Sequence, residues 1–446
     1  TTKFQPEVIS RRFKPRKLPA VTLLTTVRGV VTRLFEECGE TLYSNFYTGL
    51  GNPYLTSKQR STIEADIDDA TPAFEESIET THFILKWTNS STHAPDNIAD
   101  STIIEDTGDY LETAWTKYNT VFGKAPYVPS GSTKIEVNFL DIAAIGVASP
   151  PDGPIQFDSQ HWVNTPGLRQ PTSAHELFHK LQYAFGYRTT HTPSGDYKWF
   201  SEGTASWSEV FVWKRVSGDY KIKGLFENPD LNLYSASYRA LPFWIFFETR
   251  QQDSPTDNPL ISFFQKYEST GDERASAAEV IDEDWPANNV YGQLDHFFAL
   301  FARDRRLGHW RQTPTGGHPY ATILDEDGNN IVPALLVTEI SLGSGDSYSN
   351  GGSVSQLGSD YYRFNFENNA QGKMLTVSVT GVPGGDYSYY LIWEKNGVWK
   401  KASFPFGSTG SYSYTETLDL ATANGFMIII SGRGTGGAYT INTSVG

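Results

Sequence analysis

The chain changes texture near Val337, and that change dictates how it is built. Between Thr172 and about Leu307, apolar residues recur at helical spacing in amphipathic runs. From about Val337 onward, YYRFNF, MLTVSVTG, YSYYLIWEKNGVWKK, YSYTETLDL, GFMIIISGRG and AYTINTSV alternate as strands, separated by Gly, Asn and Ser turns. A period of 3.6 and a period of 2 cannot serve one kind of element. The C-terminal part therefore reads as an all-β sandwich, with EKNGVW an Asn-Gly hairpin signal. Upstream, THFILKW (81–87) and TKIEVNFLDI (133–142) read as strands. Between them a helix starts at Ser101, the expected N-cap, and carries Ile104, Leu111, Trp115 and Tyr118 on one face. GVASPPDGPIQFDS (146–159) reads as a short edge strand broken by a Pro-Pro-Asp-Gly turn. Strands first and helices after is the α+β pattern. No fixed repeat period is present. At roughly 150 residues per unit, 446 residues make about three. The boundaries expected are an N-terminal extension (1–79), an α+β domain (80–312), a linker (313–336) and a β-sandwich accessory domain (337–446).

Composition narrows the function classes. The 36 basic and 51 acidic residues leave a net charge of −15, so no global basic field exists for a nucleic-acid partner. The lone cysteine, Cys38, permits no intrachain disulfide and no cysteine-based zinc finger. Apolar runs such as PALLV and FMIII fall far short of the ~20 residues of a membrane span. Thr1 in place of methionine is read as a processed or trimmed end, and the Ser/Thr/Asn/Gly/Tyr texture with scarce cysteine as that of a secreted protein. Residues 1–33 hold eight basic side chains against Glu7 alone, and 64–79 is strongly acidic. Such an extension is either a pro-segment docked on an acidic body or, more plainly, an integral arm.

The stretch with chemistry is PTSAHELFHKLQYAFG, 171–186. His175 and His179 are four apart, so on a helix both imidazoles leave one face and can ligate one zinc ion. Glu176 stands where its carboxylate reaches a water in the metal's remaining position, as general base. Random placement of 9 histidines and 51 acids in 446 residues gives about 0.02 such patterns, counting aspartate as glutamate. Thr172 or Ser173 is the expected cap, and Gly186 the expected stop. A catalytic zinc takes a third protein ligand. Glu202, in DYKWFSEGTASWSEVFVW, opens a second amphipathic helix and can meet the histidines from the other side, with Gly203 and Ala205 allowing close approach. The competing reading of Glu202 is a first-turn acid favoured by the helix dipole. Glu209, two turns deeper on the same face, is the rival ligand.

HELFH followed by WFSEGTA resembles the glutamate-zincin (gluzincin) metallopeptidases. The text from THFILKW through SYRALPFWIFFE is similar to secreted bacterial metalloproteases, myxobacterial ones among them, and more distantly to hyicolysin-like peptidases. The resemblance covers about 80–310. It implies a zincin-like catalytic domain with His175, His179 and Glu202 as zinc ligands and Glu176 as base. A metzincin would carry Gly and His where Gln182 and Phe185 stand. No G-T-x-D follows as in aspartate-zincins, and GVASPP replaces the G-x-M-E-N strand of large aminopeptidases, which favours an endopeptidase. Tyr238 begins a helix as the catalytic tyrosine of several gluzincins does, and is the expected oxyanion donor. Tyr234 is the alternative, with Arg239 a lesser candidate.

Weaker signals remain. DEDGNN (325–330) looks like a Ca2+ loop but lacks the bidentate glutamate at position 12, so a hairpin turn is the better reading. Cys38 could block zinc in a latent form, and is more plainly an ordinary cysteine. His161 and His191 could line a cleft, and read more simply as loop histidines. The tyrosines and tryptophans of the sandwich are mostly expected in its core, with a glycan or cell-surface contact the lesser reading. The leading expectation is a secreted zinc endopeptidase acting on protein or peptide. Its rivals are a cell-surface or carbohydrate-binding protein with a structural or vestigial zinc site, and a zinc hydrolase of another amide bond. Glu176 separates the leading class from the binding class, because a structural site has no use for it.

Overall fold

A computed structural model describes residues 74–446 except 143, 150, 188–196, 252–257, 282–289, 308–309, 312–318, 383–384, 396–397, 407–410, 418–424 and 434–435. Most of the 1–79 extension, with Cys38, and His191 lie outside the described residues, as does part of the 313–336 linker.

The architecture is α+β with a sandwich-like C-terminal part. Strands β1 (Glu76–Glu79), β2 (Phe83–Trp87), β3 (Ile135–Leu140), β4 (Gly146–Ala148) and β5 (Ile155–Asp158) form a sheet in the order β1-β2-β3-β5-β4. β2, β3 and β5 run parallel, while β1 and β4 are antiparallel edges. Helix α1 (Thr102–Phe122) makes the crossover from β2 to β3, as a parallel pair requires. Alternation puts Phe83, Leu85, Ile135, Val137, Phe139, Ile155 and Phe157 in the core with Ile104, Leu111, Trp115 and Tyr118 of α1. Ser101 is not the cap: it has helical φ/ψ and makes no capping bond. Asp100 caps instead, its carboxylate accepting from the Thr102 N–H at 3.0 Å.

After β5 come α2 (Ser159–Asn164) and α3 (Pro166–Ala184). The helix expected from Thr172 thus begins six residues earlier, and neither Thr172 nor Ser173 caps it; both are buried within it. Pro166 opens it because the first helical N–H has no acceptor to lose. It stops where expected. Gly186 has φ +86, its N–H bonds Tyr183 O at 3.0 Å, and the Tyr187 N–H bonds Gln182 O at 3.0 Å, which closes a Schellman motif. Helices α4 (Lys198–Trp213), α5 (Tyr220–Glu227), α6 (Leu241–Gln251), α7 (Pro259–Thr270), α8 (Glu273–Val280) and α9 (Val290–Leu307) follow. Gly203 permits a close approach, but to α6: a Cβ there would lie 2.7 Å from Trp244 Nε1.

The C-terminal part holds nine strands among the described residues: β6 (Thr338–Leu342), β7 (Ser347–Val354), β8 (Ser359–Phe366), β9 (Met374–Gly381), β10 (Tyr387–Lys395), β11 (Val398–Phe406), β12 (Ser411–Thr417), β13 (Gly425–Gly432) and β14 (Gly437–Val445). They form sheets β11-β10-β13-β8-β6 and β12-β9-β14-β7. Lys395 pairs with Val398 across antiparallel β10 and β11, and the expected Asn396-Gly397 turn lies outside the described residues. β7 escapes the sequence reading because SYSNGGSV has little strand propensity, and β6, TEISL, is missed as well. Tyr362, Phe364, Tyr387, Tyr389, Phe426 and Tyr439 fill the space between the sheets, so these aromatics are core. DEDGNN is a tight turn: Asp325 takes the N–H groups of Asp327 and Asn329 on one carboxylate oxygen, and Asn329 Nδ2 on the other.

Candidate metal centre

Residues from α3 and α4 converge in the body beside the five-stranded sheet. His175 and His179 lie one turn apart on α3 with ring centroids 5.0 Å apart. Glu202 is the fifth residue of α4, not a first-turn acid, so the dipole reading does not apply to it. It is 1% exposed and faces the histidines. Its Oε2 lies 3.3 Å from His175 Nε2 and 3.7 Å from His179 Nε2. The donor atoms of the three residues all lie within 4.8 Å of one another, and no other group of three or more His, Cys, Asp or Glu side chains among the described residues could hold a metal ion.

The far side of each imidazole shows that the donor set suits a cation. His175 Nδ1 is 2.7 Å from Glu209 Oε1, and a carboxylate can only accept there. His179 Nδ1 is 2.8 Å from Gln182 Oε1. The orientation of that amide is forced, because Gln182 Nε2 donates to Ser201 O and Thr204 Oγ1, each at 2.8 Å. Both Nδ1 atoms therefore carry hydrogen, and the Nε2 atoms, which face Glu202, are the ring positions that would ligate a cation. This buried group could hold a metal ion.

Glu209, the rival ligand, is thus engaged behind His175. Its carboxylate also takes the Lys221 ammonium at 2.5 Å and the Ser217 N–H at 2.7 Å. Burial penalises its charge, but Lys221 and His175 outweigh that and hold the carboxyl down to about 2. Burial also works against the Lys221 charge, and Glu209 outweighs it, holding the ammonium above its ordinary value. At Glu202 burial likewise raises, and the two imidazoles hold the carboxyl well below its usual range.

Glu176 is buried beside this group. Burial is the largest influence and pushes its carboxyl up, Glu202 adds to that, and the histidines oppose it. Edge strand β4 passes over it: a Cβ on Gly146 would lie 2.9 Å from Glu176 Oε1 and Cγ. Tyr238 sits on a short 3-10 turn (Ser237–Ala240) before α6, with its ring 5.6 Å from that of His175. Tyr234 is elsewhere, against Trp199 and beneath the Arg274 guanidinium. The Arg239 stem lies across Gly224 of α5. His161 is bound to Asp158 at 2.7 Å. Sequence reasoning missed the tasks of Gln182, Lys221 and Lys180. For Gln182 a signal existed, since it stands three residues past His179 on the same helical face.

No protein-family model matches the chain, and no curated protein matches it. Solved structures with partial likeness include the Yersinia pseudotuberculosis-derived mitogen, at 14% identity over 23% of this chain and 87% of that one, TM-score 0.19. The pre-peptidase C-terminal domain of collagenase from Bacillus anthracis is 15% identical over 25% and 97%, TM-score 0.17. A family 16 carbohydrate-binding module is 11% identical over 22% and 69%, TM-score 0.14. Likenesses at these scores assign neither family nor activity, and the side chains of the centre carry the functional reading.

Proposed function

We propose that the chain is a secreted, zinc-dependent endopeptidase with a zincin-like catalytic domain. The observation that carries this reading is the convergence of two imidazole Nε2 atoms and one carboxylate, with a further buried carboxylate, Glu176, next to them. Two nitrogens and one oxygen from protein suit zinc with a remaining position for water. Sites with two histidines and a carboxylate also take iron(II), and Glu176 is the residue that favours hydrolysis over oxygen chemistry. Bound here, zinc would supply Lewis acidity and lower the pKa of a coordinated water towards ~7.

The chain's own residues would do the rest. Glu176 takes the proton of the attacking water and returns it to the leaving amine. The burial that raises its carboxyl suits a group that must both accept and give up a proton. Tyr238, packed on His175, is the nearer of the two tyrosine candidates for stabilising the oxyanion. Strand β4 supports an extended substrate. The Asp158 N–H bonds Ile145 O, and the Ser149 N–H bonds Pro154 O. By the alternation of an antiparallel ladder, Gly146 and the Ala148 N–H then turn to the outer edge, where a peptide could add as a further strand, while the Ala148 carbonyl accepts from the Tyr183 hydroxyl.

The reading is tested with metal analysis and cleavage of unfolded casein. The wild-type chain should hold one zinc and lose activity to a chelator, and Glu176→Gln should keep the zinc and lose turnover. Stoichiometric zinc in a chain that cleaves neither casein nor any member of a peptide library would defeat the proposal.

A further inference from the structure

Lys180 stands next to His179 and is fully buried, yet no carboxylate pairs with it within hydrogen-bond distance among the described residues. Its Nζ donates to three backbone carbonyls, Ser149 O at 3.1 Å, Pro151 O at 3.2 Å and Gly153 O at 2.6 Å. An ammonium has three N–H donors, and all three are used. Those carbonyls belong to the turn that joins β4 to β5. The turn is anchored on its other side, where Asp152 accepts from the Ser130 N–H at 2.9 Å and the Tyr127 hydroxyl at 3.0 Å.

The spacing along α3 gives this clamp its meaning. Thr172, Glu176 and Lys180 are four apart and share a face. Thr172 and Glu176 pack under Gly146, and Lys180 holds the turn that follows the same strand. Tyr183, further along the helix, donates to Ala148 O at 3.3 Å. If packing alone were required, an apolar side chain would fill the place. A turn whose carbonyls point inward needs a donor, and losing that donor would leave β4 free to slide over Glu176.

We infer that Lys180 is a positioning residue: it pins edge strand β4 at the height where a peptide laid along that strand presents its scissile carbonyl to the metal centre and Glu176. This rests on the peptidase reading above. Lys180 touches no reacting atom and acts only through the strand.

Lys180→Met and the milder Lys180→Gln, each in the full chain, test it against wild type on two substrates. One is an extended peptide long enough to run the length of β4, the other a short blocked dipeptide. The expected result is one zinc per chain in all three proteins and a fall in kcat/KM of about 10- to 100-fold on the extended peptide, with a much smaller fall on the dipeptide. Hydrogen exchange at the Val147 and Ser149 amides should quicken in both variants while α3 stays protected. Equal losses on the two substrates, no loss, or unchanged exchange at Val147 and Ser149 would overturn the inference. So would loss of fold in both variants, because Lys180 would then be holding the body together. A wild-type chain with zinc but no cleavage of either substrate counts against the peptidase reading instead, and the exchange comparison still decides whether Lys180 holds the strand.

Discussion

Gln182 decides the protonation of His179 through its own amide: with Nε2 committed to Ser201 O and Thr204 Oγ1, only Oε1 is left for the imidazole. Glu209 does the same for His175, with Lys221 balancing its charge. Such groups behind a ligand fix the ring and raise its basicity. Gln182→Leu should therefore weaken zinc binding by about 10- to 100-fold, measured by chelator competition, with all three proposed ligands untouched. Retained affinity in that variant would mean that the helix alone holds His179 in place. At this scale the histidine pair and Glu176 are legible in the sequence, because a one-turn relation lies within a single helix. The three acceptors of Lys180 are backbone carbonyls, which every residue carries, so nothing in the text of 149–153 marks them.

Helix α3 works on two faces, His175, His179 and Gln182 towards α4, and Thr172, Glu176 and Lys180 towards β4. Gly146 is where the second face comes closest, and a side chain there has no room. Gly146→Val should displace Glu176 and lower kcat by about 100-fold while zinc content holds, since misplacing a reacting group by about 1 Å costs that much. Gly186 ends the same helix at φ +86. Gly186→Ala should cost about 1 kcal/mol in denaturant unfolding and leave kcat unchanged. The glycine stop is readable from its place after an amphipathic run. The helix start is misread because Thr172 and Ser173, good capping residues in isolation, are instead packed inside the helix.

Across the whole molecule, one hydrophobic core runs from the five-stranded sheet through the helices to the outer face of the sandwich sheet that holds β8, β10 and β13, taking in Tyr361, Tyr390, Ile392, Met427 and Ile429. The space between the two sandwich sheets is a separate cluster. Arg305 of α9 crosses the junction: its guanidinium donates to Leu225 O at 2.5 Å and to the Tyr361 hydroxyl at 2.9 Å, and that hydroxyl donates to Ala302 O at 2.7 Å. A shared core predicts joint unfolding, seen as one calorimetric transition, and Arg305→Ala should lower stability by about 2–4 kcal/mol through its lost charged hydrogen bonds. Two separated transitions would show that the two parts unfold independently. Zinc should raise the unfolding temperature of the metal-free chain, by about 4 kcal/mol of added stability at a thousandfold excess over Kd.

What the sequence determined alone is what short-range periodicity encodes: helices in the middle, strands at the end, two imidazoles and a carboxylate on one helical turn, and a glycine to stop it. A candidate third donor could be picked by residue type and small neighbours, but its rival Glu209 was separable only by geometry. Tertiary packing decided that Glu202 faces the imidazole Nε2 atoms while Glu209 stands behind one ring. It also decided that Gly203 makes room for Trp244, not for α3, and that Lys180 grips a distant turn. These relations depend on which face of one helix meets which face of another, and on backbone atoms whose chemistry is the same at every position.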